Sequence, residues 1–476
     1  MNPSQPLALP GHAHIARLCC AGLGDPLKPL EGPVEILVKF GAANDLERFC
    51  APLPLGSSSR KRLCTTHRTI EILAAGRSDQ IASHPAASHA HLLDLSGCAL
   101  VPGLVNAHTH LDLTHLGPMP HDPAAGFVAW VDRIRDGRAT ESEAIRASVG
   151  RGVTLSLAGG VVAVGDIAGA PAGLPSLDPL AGLADSPLRG VSFLEFFAIG
   201  SREQAALDRL ESVLGKAPQT DANVRLGLEP HAPNTVGLRA YIHACALARV
   251  HTLPLTTHLA ESAEEHALIA QGVGSQRELL ERFGLWDAQV AAMVGHGLSP
   301  IAHLEPVLTK APFVLAHVND CSDADLAILA ASDCHIAYCP RASLYFHAAD
   351  SFGPHRYREM LGAGMNVCLG TDSIVNLPQG TDASGGRGMG ILDEARLLFA
   401  RDGTDPALLL AMATINGWRA LGFSESLGRL TRGARPAGLG VVDIAGTDPG
   451  LAVCERLMRS AEPCRLLCLG IDEEGT

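Results

Sequence analysis

The feature that most constrains the fold is an alternation of apolar and helix-like segments that starts at residue 99. Eight short apolar runs, each typical of a buried strand, are separated by segments rich in Ala, Leu, Arg and Glu that show helical periodicity. Such an alternation is typical of repeated βα units and a parallel sheet. Eight repeats over about 320 residues match a (β/α)₈ barrel in number and length.

The segment after the first predicted strand distinguishes a barrel from a doubly wound parallel sheet. A doubly wound sheet would need a Gly-rich phosphate loop after its first strand. No such loop follows the first apolar run, so the sequence favours the barrel. The eight predicted strands are Ala99–His108, Gly152–Asp166, Gly190–Phe197, Val224–His231, Leu253–His258, Phe313–His317, His335–Cys339 and Asn366–Asp372.

Both ends of the chain have a different pattern. Residues 1–98 contain short apolar runs broken by Gly, Pro and Ser clusters, and two β-like pieces, Arg429–Ile444 and Arg465–Ile471, follow the last repeat. Clusters of this kind bound short strands. We therefore predict an α/β protein with a TIM-like barrel over residues 99–422 and a small composite β-sandwich domain from residues 1–98 and 423–476.

Charge and cysteine usage exclude several classes of function. The net charge is -13 and the chain has five lysines, so it lacks the basic face that binding to a nucleic acid needs. The thirteen cysteines are scattered without Cys-x-x-Cys spacing, which favours free thiols in a reduced compartment. The most lipid-like run, Val153–Leu174, contains Asp166 and several Gly and Pro residues, which favours a buried strand over a membrane span. With no signal peptide recognisable, we expect a cytoplasmic protein that binds neither nucleic acid nor membrane.

A pair of histidines, His108 and His110, ends the first predicted strand. Side chains alternate along a strand, so the two imidazoles point the same way about 7 Å apart. Each offers a neutral nitrogen, and together they are able to share a metal ion. Alone the pair is weak evidence, because the chain has 21 histidines and an isolated His-x-His is more often a surface or core feature.

Later strands end in further polar residues of the right type. His231, His258 and His317 end the fourth, fifth and sixth predicted strands, Asp372 ends the eighth, and Glu261 lies three residues after His258. Barrel active sites lie at this carboxyl face. The predicted metal ligands are His108, His110, His258 and Asp372.

This set of ligands predicts one zinc ion, or iron with similar ligands. Such an ion lowers the pKa of bound water towards about 7, which supplies hydroxide at neutral pH. Glu261 is the candidate proton shuttle between the water and a ring nitrogen or leaving group. His317 would hold the water or polarise the substrate, Asp372 would assist deprotonation, and His231 would face the substrate.

Each residue also has a structural interpretation. A buried histidine at a strand end is more often a satisfied polar group than a ligand, and Asp372 after Gly-Thr is able to cap the next helix. The His-x-x-Glu spacing of His258 and Glu261 also occurs at helix N-termini. Together these interpretations require five coincidences at the same end of successive strands, so the sequence favours the metal site.

The motifs at these strand ends resemble a known family. They are Pro-Gly-Leu-Val-Asn-Ala-His-Thr-His-Leu at 102–111, His-Ala-Pro, His-Leu-Ala-Glu, Ala-His, the segment Tyr338–Ser343 and Leu-Gly-Thr-Asp-Ser. In this order they resemble the amidohydrolase superfamily, and more narrowly its chlorohydrolase and deaminase branch, which includes guanine, adenosylhomocysteine and aminodeoxyfutalosine deaminases. The segment Arg429–Ile444 also resembles the C-terminal sheet of that family.

The resemblance implies a distorted (β/α)₈ barrel, a composite β-sandwich and a divalent metal held by the four ligands above. It also implies that Glu261 is the acid/base and that His317 positions water. Binuclear relatives use a carboxylated lysine at strand four, whereas here that strand ends in Glu229-Pro-His231 and the only lysines after residue 61 are Lys216 and Lys310. A single metal is therefore expected, and relatives of this kind are often dimers, so a homodimer is one expected form.

The segment after the seventh strand departs from the family pattern. Many relatives have Pro-x-Ser-Asn there, whereas this chain continues from Pro340 through Arg341 and Ala342. Arg341 has two open interpretations: a bidentate pair with a substrate carboxylate, or an ion pair with an acidic neighbour. Tyr345 and Phe346 are candidates for stacking on a heterocycle, although core packing is the more common role of such residues.

The sequence thus predicts a metal-dependent hydrolase acting on a small heterocyclic substrate. The leading hypothesis is a deaminase of an amino-substituted purine-like ring or nucleoside. A second hypothesis keeps the site and changes the leaving group to chloride, an amide, or a guanidine or formimino nitrogen. A third, from another class, is an inactive barrel used for binding, which the intact set of ligands and Glu261 disfavours.

Overall fold

A computed structural model describes residues 8–9, 15–43, 62–64, 68–122, 126–218, 223–381 and 388–470. It contains an eight-stranded parallel sheet that curls into a barrel, and a second, six-stranded sheet built from both ends of the chain. The predicted (β/α)₈ barrel with a smaller sheet region from both termini is confirmed.

The barrel strands are consecutive in the middle of the chain, and the strands of the smaller sheets come before and after them. In the described residues they are β1 (Ala8–Leu9), β2 (Ile15–Leu23), β3 (Val34–Ala43), β4 (Arg62–Cys64), β5 (Arg68–Gly76), β6 (His91–Pro102), β7 (Leu104–Thr109), β8 (Val161–Ala168), β9 (Arg189–Phe196), β10 (Val224–Pro230), β11 (Leu255–Leu259), β12 (Phe313–His317), β13 (His335–Tyr338), β14 (Asn366–Leu369), β15 (Leu439–Asp443), β16 (Arg465–Leu466) and β17 (Cys468–Gly470).

Helices connect the barrel strands and cover their outer face. The α-helices of the described residues are α1 (Ser78–Ala82), α2 (Gly126–Gly137), α3 (Ser142–Ala158), α4 (Asp178–Ala184), α5 (Glu203–Leu214), α6 (Leu238–His251), α7 (Ala263–His266), α8 (Ser275–Arg282), α9 (Ala288–Met293), α10 (Pro300–Leu308), α11 (Asp323–Ala330), α12 (Pro340–Tyr345), α13 (Ala348–Phe352), α14 (Tyr357–Gly362), α15 (Ile391–Asp402), α16 (Pro406–Met412), α17 (Ile415–Ala420) and α18 (Val453–Arg459).

Barrel strands β7 to β14 lie side by side in chain order, each parallel to the next. Every residue of β8 is buried, because a parallel sheet is covered on both faces. The barrel closes between β14 and β7 at an isolated parallel bridge that joins Thr109 to Asp372. There the N–H of His110 donates to the carbonyl of Asp372 at 3.0 Å, and the N–H of Asp372 donates to the carbonyl of His108 at 3.1 Å. The seam of the barrel is thus formed by residues of the predicted metal site.

The first predicted strand, Ala99–His108, is two strands in the structure. β6 runs to Pro102 in the smaller sheet, and β7 begins the barrel at Leu104. Between them Gly103 passes so close to Val162 that a Cβ would lie 2.5 Å from a methyl carbon of that side chain. The apolar run is continuous in the sequence, so it does not indicate that the chain passes from the six-stranded sheet into the barrel at Gly103.

The second predicted strand, Gly152–Asp166, begins too early. Residues up to Ala158 belong to α3, and the strand starts at Val161. Val149, Gly152, Val153 and Ser156 are buried at helical spacing. From the sequence alone, the Gly and β-branched residues of this stretch favour a strand. In the structure Gly152 allows close packing within the helix region, because a Cβ there would lie 2.7 Å from the Thr114 hydroxyl oxygen. The other six predicted strands match within three residues at each end.

The six-stranded sheet combines segments from both ends of the chain in the order β16-β15-β6-β2-β3-β5. Its C-terminal strand β15 pairs antiparallel with β6. We propose that this sheet is the core of the composite domain expected from residues 1–98 and 423–476. The predicted piece Arg429–Ile444 is a strand only over Leu439–Asp443, and the last residue of Arg465–Ile471 lies outside the described residues.

None of the helices in the described ranges is both long and apolar enough to cross a membrane.

Candidate metal centre

Side chains from the first, fifth and eighth barrel strands meet at the seam of the barrel. The Nε2 atoms of His110 and His258 lie 3.3 Å apart. Asp372 Oδ1 lies 3.4 Å from Nε2 of His110 and 3.8 Å from Nε2 of His108. The structure therefore brings together all four residues that the sequence predicted as metal ligands.

Two of these three spacings fit the edge of a tetrahedral zinc site. A zinc ion with Zn–N distances of about 2.0–2.1 Å holds two nitrogen ligands about 3.3–3.4 Å apart, because a tetrahedron's edge is about 1.6 times its centre-to-corner distance. The distance between His110 and His258 matches this edge, and that between His110 and Asp372 matches it equally well. The donor set of three imidazoles and one carboxylate is of the kind that binds zinc or iron.

Unpartnered nitrogens of buried histidines support the same conclusion. Within the described residues, neither ring nitrogen of His108 has a hydrogen-bond partner, although the side chain is only 1% exposed. The Nε2 atom of the buried His317 is also unpartnered. Buried polar atoms are almost always satisfied, so these nitrogens fit a site that takes a cation.

His317 lies in the same cluster. One group of potential ligand atoms joins His317 to His108 and His258, another joins it to Glu261 and Asp372, and the atoms of each group lie within 4.8 Å of one another. Nε2 of His317 is 3.5 Å from Oε1 of Glu261. His317 is therefore placed to contact either the ion or a water molecule beside it.

Burial and the neighbouring carboxylates together determine the ionisation of the cluster. At His258 the carboxylates, Glu229 first among them, outweigh burial and raise the pKa to about 10. Burial lowers the pKa of His108 and His110 well below the usual range for histidine, and it lowers the pKa of His317 to about 4. Burial also raises the pKa of Asp372 to about 8. Neutral imidazole is the form that binds a metal, and a bound cation would favour the ionised form of Asp372.

Two of these residues have a backbone conformation that is uncommon for residues other than glycine. The φ angles of His317 and Asp372 are +70° and +58°. A left-handed backbone at a bulky residue costs roughly 1–3 kcal/mol, and such strain concentrates at functional sites. For Asp372 the conformation is held by its place in the seam and by Asn376, whose side-chain amide donates to Oδ2.

Glu261 is fixed through its backbone. The carboxylate of the buried Glu265 accepts the N–H of Ala260 at 3.0 Å and the N–H of Glu261 at 2.7 Å. The side-chain amide of Asn319 donates to the Glu261 carbonyl at 3.0 Å. The Glu261 side chain itself is 21% exposed and points its carboxylate towards His317. A fixed backbone with a partly free carboxylate suits a group that moves a proton.

His231 forms the wall beside the ligand His258, and the centroids of the two rings are 5.0 Å apart. Its Nδ1 is 2.7 Å from the hydroxyl of Thr235, and its Nε2 is 3.9 Å from the buried carboxylate of Glu195. Burial lowers the pKa of His231 to about 4, although Glu195 opposes this shift. His231 is therefore neutral at pH 7 and is placed to contact a substrate next to the metal ligands.

Several buried carboxylates of neighbouring strands were not predicted as site residues from the sequence. Glu195 is the last but one residue of β9, where it accepts from Arg138 at 3.1 Å and from the N–H of Ala170 at 2.6 Å. Glu229 lies in β10, and Asp166 lies in β8. The signal available in the sequence was a single carboxylate inside an otherwise apolar strand, close to its carboxyl end.

Arg341 pairs with an acidic neighbour, the second of its two interpretations. Its Nε donates to the carboxylate of Glu394, its backbone N–H donates to the same carboxylate at 2.9 Å, and a terminal nitrogen donates to the carbonyl of Gly390 at 3.0 Å. Glu394 is fully buried and Arg341 is 13% exposed. This contact supports a structural role for Arg341 and does not support its assignment to substrate binding.

Replacing Arg341 by alanine is expected to destabilise the protein by about 3–5 kcal/mol, because it leaves the Glu394 carboxylate buried without its partner. Urea unfolding measures the loss. The double variant Arg341→Met/Glu394→Leu removes both charges and is expected to recover most of it. An unchanged stability together with a raised KM for carboxylated substrates would instead assign Arg341 to the substrate.

Tyr345 belongs to an aromatic cluster at the end of α12. Its ring centroid lies 4.8 Å from that of His121 and 4.9 Å from that of Phe346, and Phe346 in turn lies 4.9 Å from Trp130. These contacts join the loop after β7 to the helix after β13. The cluster explains the position of Tyr345 as packing between two loops, and contact with a substrate stays a prediction.

Comparison with known proteins gives consistent matches over most of the chain. The model of the amidohydrolase family matches residues 99–457. An aminodeoxyfutalosine deaminase from Deinococcus radiodurans is 27% identical over 379 residues, which cover 74% of this chain and 79% of that protein.

Solved structures show the same fold at low sequence identity. The Helicobacter pylori aminofutalosine deaminase in complex with methylthio-coformycin superposes with a TM-score of 0.68 at 18% identity, over 95% of this chain and 98% of that one. The atrazine chlorohydrolase of Arthrobacter aurescens in complex with zinc gives a TM-score of 0.65 at 18% identity, over 95% and 92%.

Proposed function

The chain belongs to the amidohydrolase family, and from that premise we propose that it is a hydrolytic deaminase of an amino-substituted purine-like heterocycle or nucleoside. The observation that supports this most is the position of Nε2 of His110, which lies 3.3 Å from Nε2 of His258 and 3.4 Å from Oδ1 of Asp372, with Glu261 in a ligand group that includes Asp372. The activity named for the relative from Deinococcus radiodurans supports the choice of an amino group as the leaving group.

The resident metal in this proposal is one zinc or iron ion, held by His108, His110, His258 and Asp372. When bound, such an ion supplies Lewis acidity that activates water at neutral pH. Zinc is preferred because of the tetrahedral spacing, and a structurally similar hydrolase binds zinc. A second ion is not expected, since strand β10 offers no lysine for carboxylation.

In the reaction Glu261 moves the protons. Its Oε1 accepts a proton from the attacking water and delivers it to a ring nitrogen next to the amino-bearing carbon. Water adds to that carbon, and the proton of the resulting hydroxyl group passes to the amino nitrogen. A C=O bond then forms as the C–N bond breaks, and ammonia leaves. His317, 3.5 Å from Glu261, orients the water through Nε2. Asp372, whose carboxylate lies within 4.8 Å of the ligand atoms of Glu261 and His317, assists the deprotonation.

The substrate lies against His231 in this proposal. The centroid of Phe197 lies 4.8 Å from the His231 ring, so an apolar face adjoins the polar edge of that histidine. A flat heterocycle matches such a wall, since its face packs on aromatic side chains while its edge forms hydrogen bonds. Tyr345 is proposed as a further contact from the aromatic cluster on the other side.

A second candidate function keeps the metal centre and releases chloride in place of ammonia. The observation that favours it is the structural similarity to a chlorohydrolase. An amide or a guanidine or formimino nitrogen is a further leaving group for the same machinery. A non-catalytic barrel would not need both a complete set of ligands and Glu261.

The test is a screen for ammonia release by the purified, zinc-loaded protein over aminopurines, aminopyrimidines and their nucleosides, with chloride release from chloro-substituted rings measured in parallel. We expect ammonia from at least one purine-like substrate. Ammonia from none of them with chloride from a chlorinated ring would select the second candidate. Neither product from any substrate would contradict both.

A further inference from the structure

Glu229 is a buried carboxylate that the proposed reaction does not use. It lies in β10, two residues before His231, and its side chain is fully buried. Its Oε1 is 3.0 Å from Nδ1 of His258, one of the proposed metal ligands. Within the described residues, neither oxygen of this carboxylate has a partner of good hydrogen-bond geometry, so its contact with His258 is a close ion-pair distance.

The surroundings of His258 determine which of its nitrogens carries the proton. Nδ1 faces two oxygens, the carboxylate of Glu229 at 3.0 Å and the carbonyl of His231 at 3.1 Å. A carbonyl oxygen only accepts hydrogen bonds, and so does an ionised carboxylate. In the neutral, metal-binding form of the ring Nδ1 is therefore the donor and the lone pair is on Nε2, the atom that lies 3.3 Å from Nε2 of His110.

Burying a carboxylate without several hydrogen bonds is costly. A hydrophobic residue would fill the same place in β10 at a lower cost, as in the flanking Leu228. The one group that gains from the carboxylate is the imidazole of His258. Carboxylates that accept from the distal nitrogen of a metal-bound histidine fix its orientation and raise its basicity.

We propose that Glu229 is a positioning residue of the metal centre: its carboxylate beside Nδ1, together with the carbonyl of His231, fixes the tautomer and ring orientation of His258 and increases the affinity of the site for a divalent ion. The inference rests on the proposed function, because it assumes that His258 is a ligand. It adds a residue that neither the motifs nor the ligand cluster includes.

Zinc affinity of the full-length protein, measured after metal removal by competition with a chromogenic chelator, tests this role. Glu229→Gln keeps an oxygen that accepts from Nδ1 but loses the charge, and Glu229→Ala loses both. We expect the Kd for zinc to rise by about 10–100-fold in the alanine variant, with a smaller rise in the glutamine variant. Glu203→Gln is the matched control, since Glu203 is a buried carboxylate paired with Arg239 away from the cluster, and its zinc affinity should equal that of the wild type.

Cobalt substitution gives a readout that a purely structural role would not change. The visible spectrum of bound Co²⁺ reports the ligand field. Relative to Glu203→Gln, the absorption bands should shift or weaken in Glu229→Ala, which loses the contact, and to a smaller extent in Glu229→Gln, which loses the charge. If the alanine variant does not fold, the zinc affinity and the cobalt spectrum of the glutamine variant test the role of Glu229.

Unchanged zinc affinity and an unchanged cobalt spectrum in a folded Glu229 variant would overturn the inference while leaving the proposed function in place. A wild-type protein that binds no zinc would refute the proposed metal centre itself, and with it the role of Glu229.

Discussion

Replacing Glu261 by glutamine is expected to lower kcat by about 10²–10⁴-fold while the protein keeps its metal. The amide has nearly the same shape as the carboxylate but takes no proton from water and passes none to the substrate. The backbone of residue 261 is held by Glu265 and Asn319, so the substitution should leave the fold intact. Steady-state ammonia release and metal analysis of the same preparation measure both effects.

The control for this variant is Glu264→Gln, which changes a neighbouring carboxylate on α7 outside the ligand cluster. Its kcat should stay close to that of the wild type. A fully active Glu261→Gln enzyme would exclude the proposed proton transfer through this residue. Loss of metal in the same variant would instead assign Glu261 to the ligand set.

His108→Ala is expected to abolish stoichiometric metal binding and, with it, activity. His108 is 1% exposed, neither of its ring nitrogens is partnered within the described residues, and it belongs to two of the groups of potential ligands, all of which a bound ion explains. We expect about one zinc or iron ion per chain in the wild type and much less than one in the variant. Elemental analysis of the dialysed proteins measures this ratio.

A buried histidine outside the cluster separates loss of a ligand from loss of a buried side chain. His303 in α10 is 5% exposed and its Nε2 is also unpartnered in the described part of the chain. His303→Ala should keep its metal. A metal content of about one ion per folded chain in His108→Ala would contradict the ligand assignment.

Residues at strand ends could be predicted from the sequence because a parallel barrel places all carboxyl ends of its strands on one face. His258, His317 and Asp372 each come at or after the end of an apolar run. Which residues lie near them therefore depends on the order of the strands more than on the details of side-chain packing. The same logic located Glu261 three residues later. Their convergence on His108 and His110 in the structure follows from the order of the strands alone.

Contacts between segments far apart in the chain could not be predicted in the same way. The pairing of Arg341 with Glu394 spans 53 residues and depends on how α12 meets α15. The contact of Glu229 with His258 depends on the register of β10 beside β11. The extension of α3 through Gly152 depends on a close approach to Thr114, which no local pattern records.

The seam of the barrel has a consequence for folding. His108 and Asp372 belong to the first and the last barrel strand, and they are joined there by backbone hydrogen bonds and one isolated bridge. An ion shared by both residues would act as a cross-link that closes a loop of more than 250 residues, where the entropy cost grows only with the logarithm of the loop length. The free energy of metal binding would then also stabilise the closed barrel. Zinc in excess over its Kd would raise the free energy of unfolding by RT ln(1 + [Zn]/Kd). The catalytic ion would thus also hold the first and last strands of the barrel together.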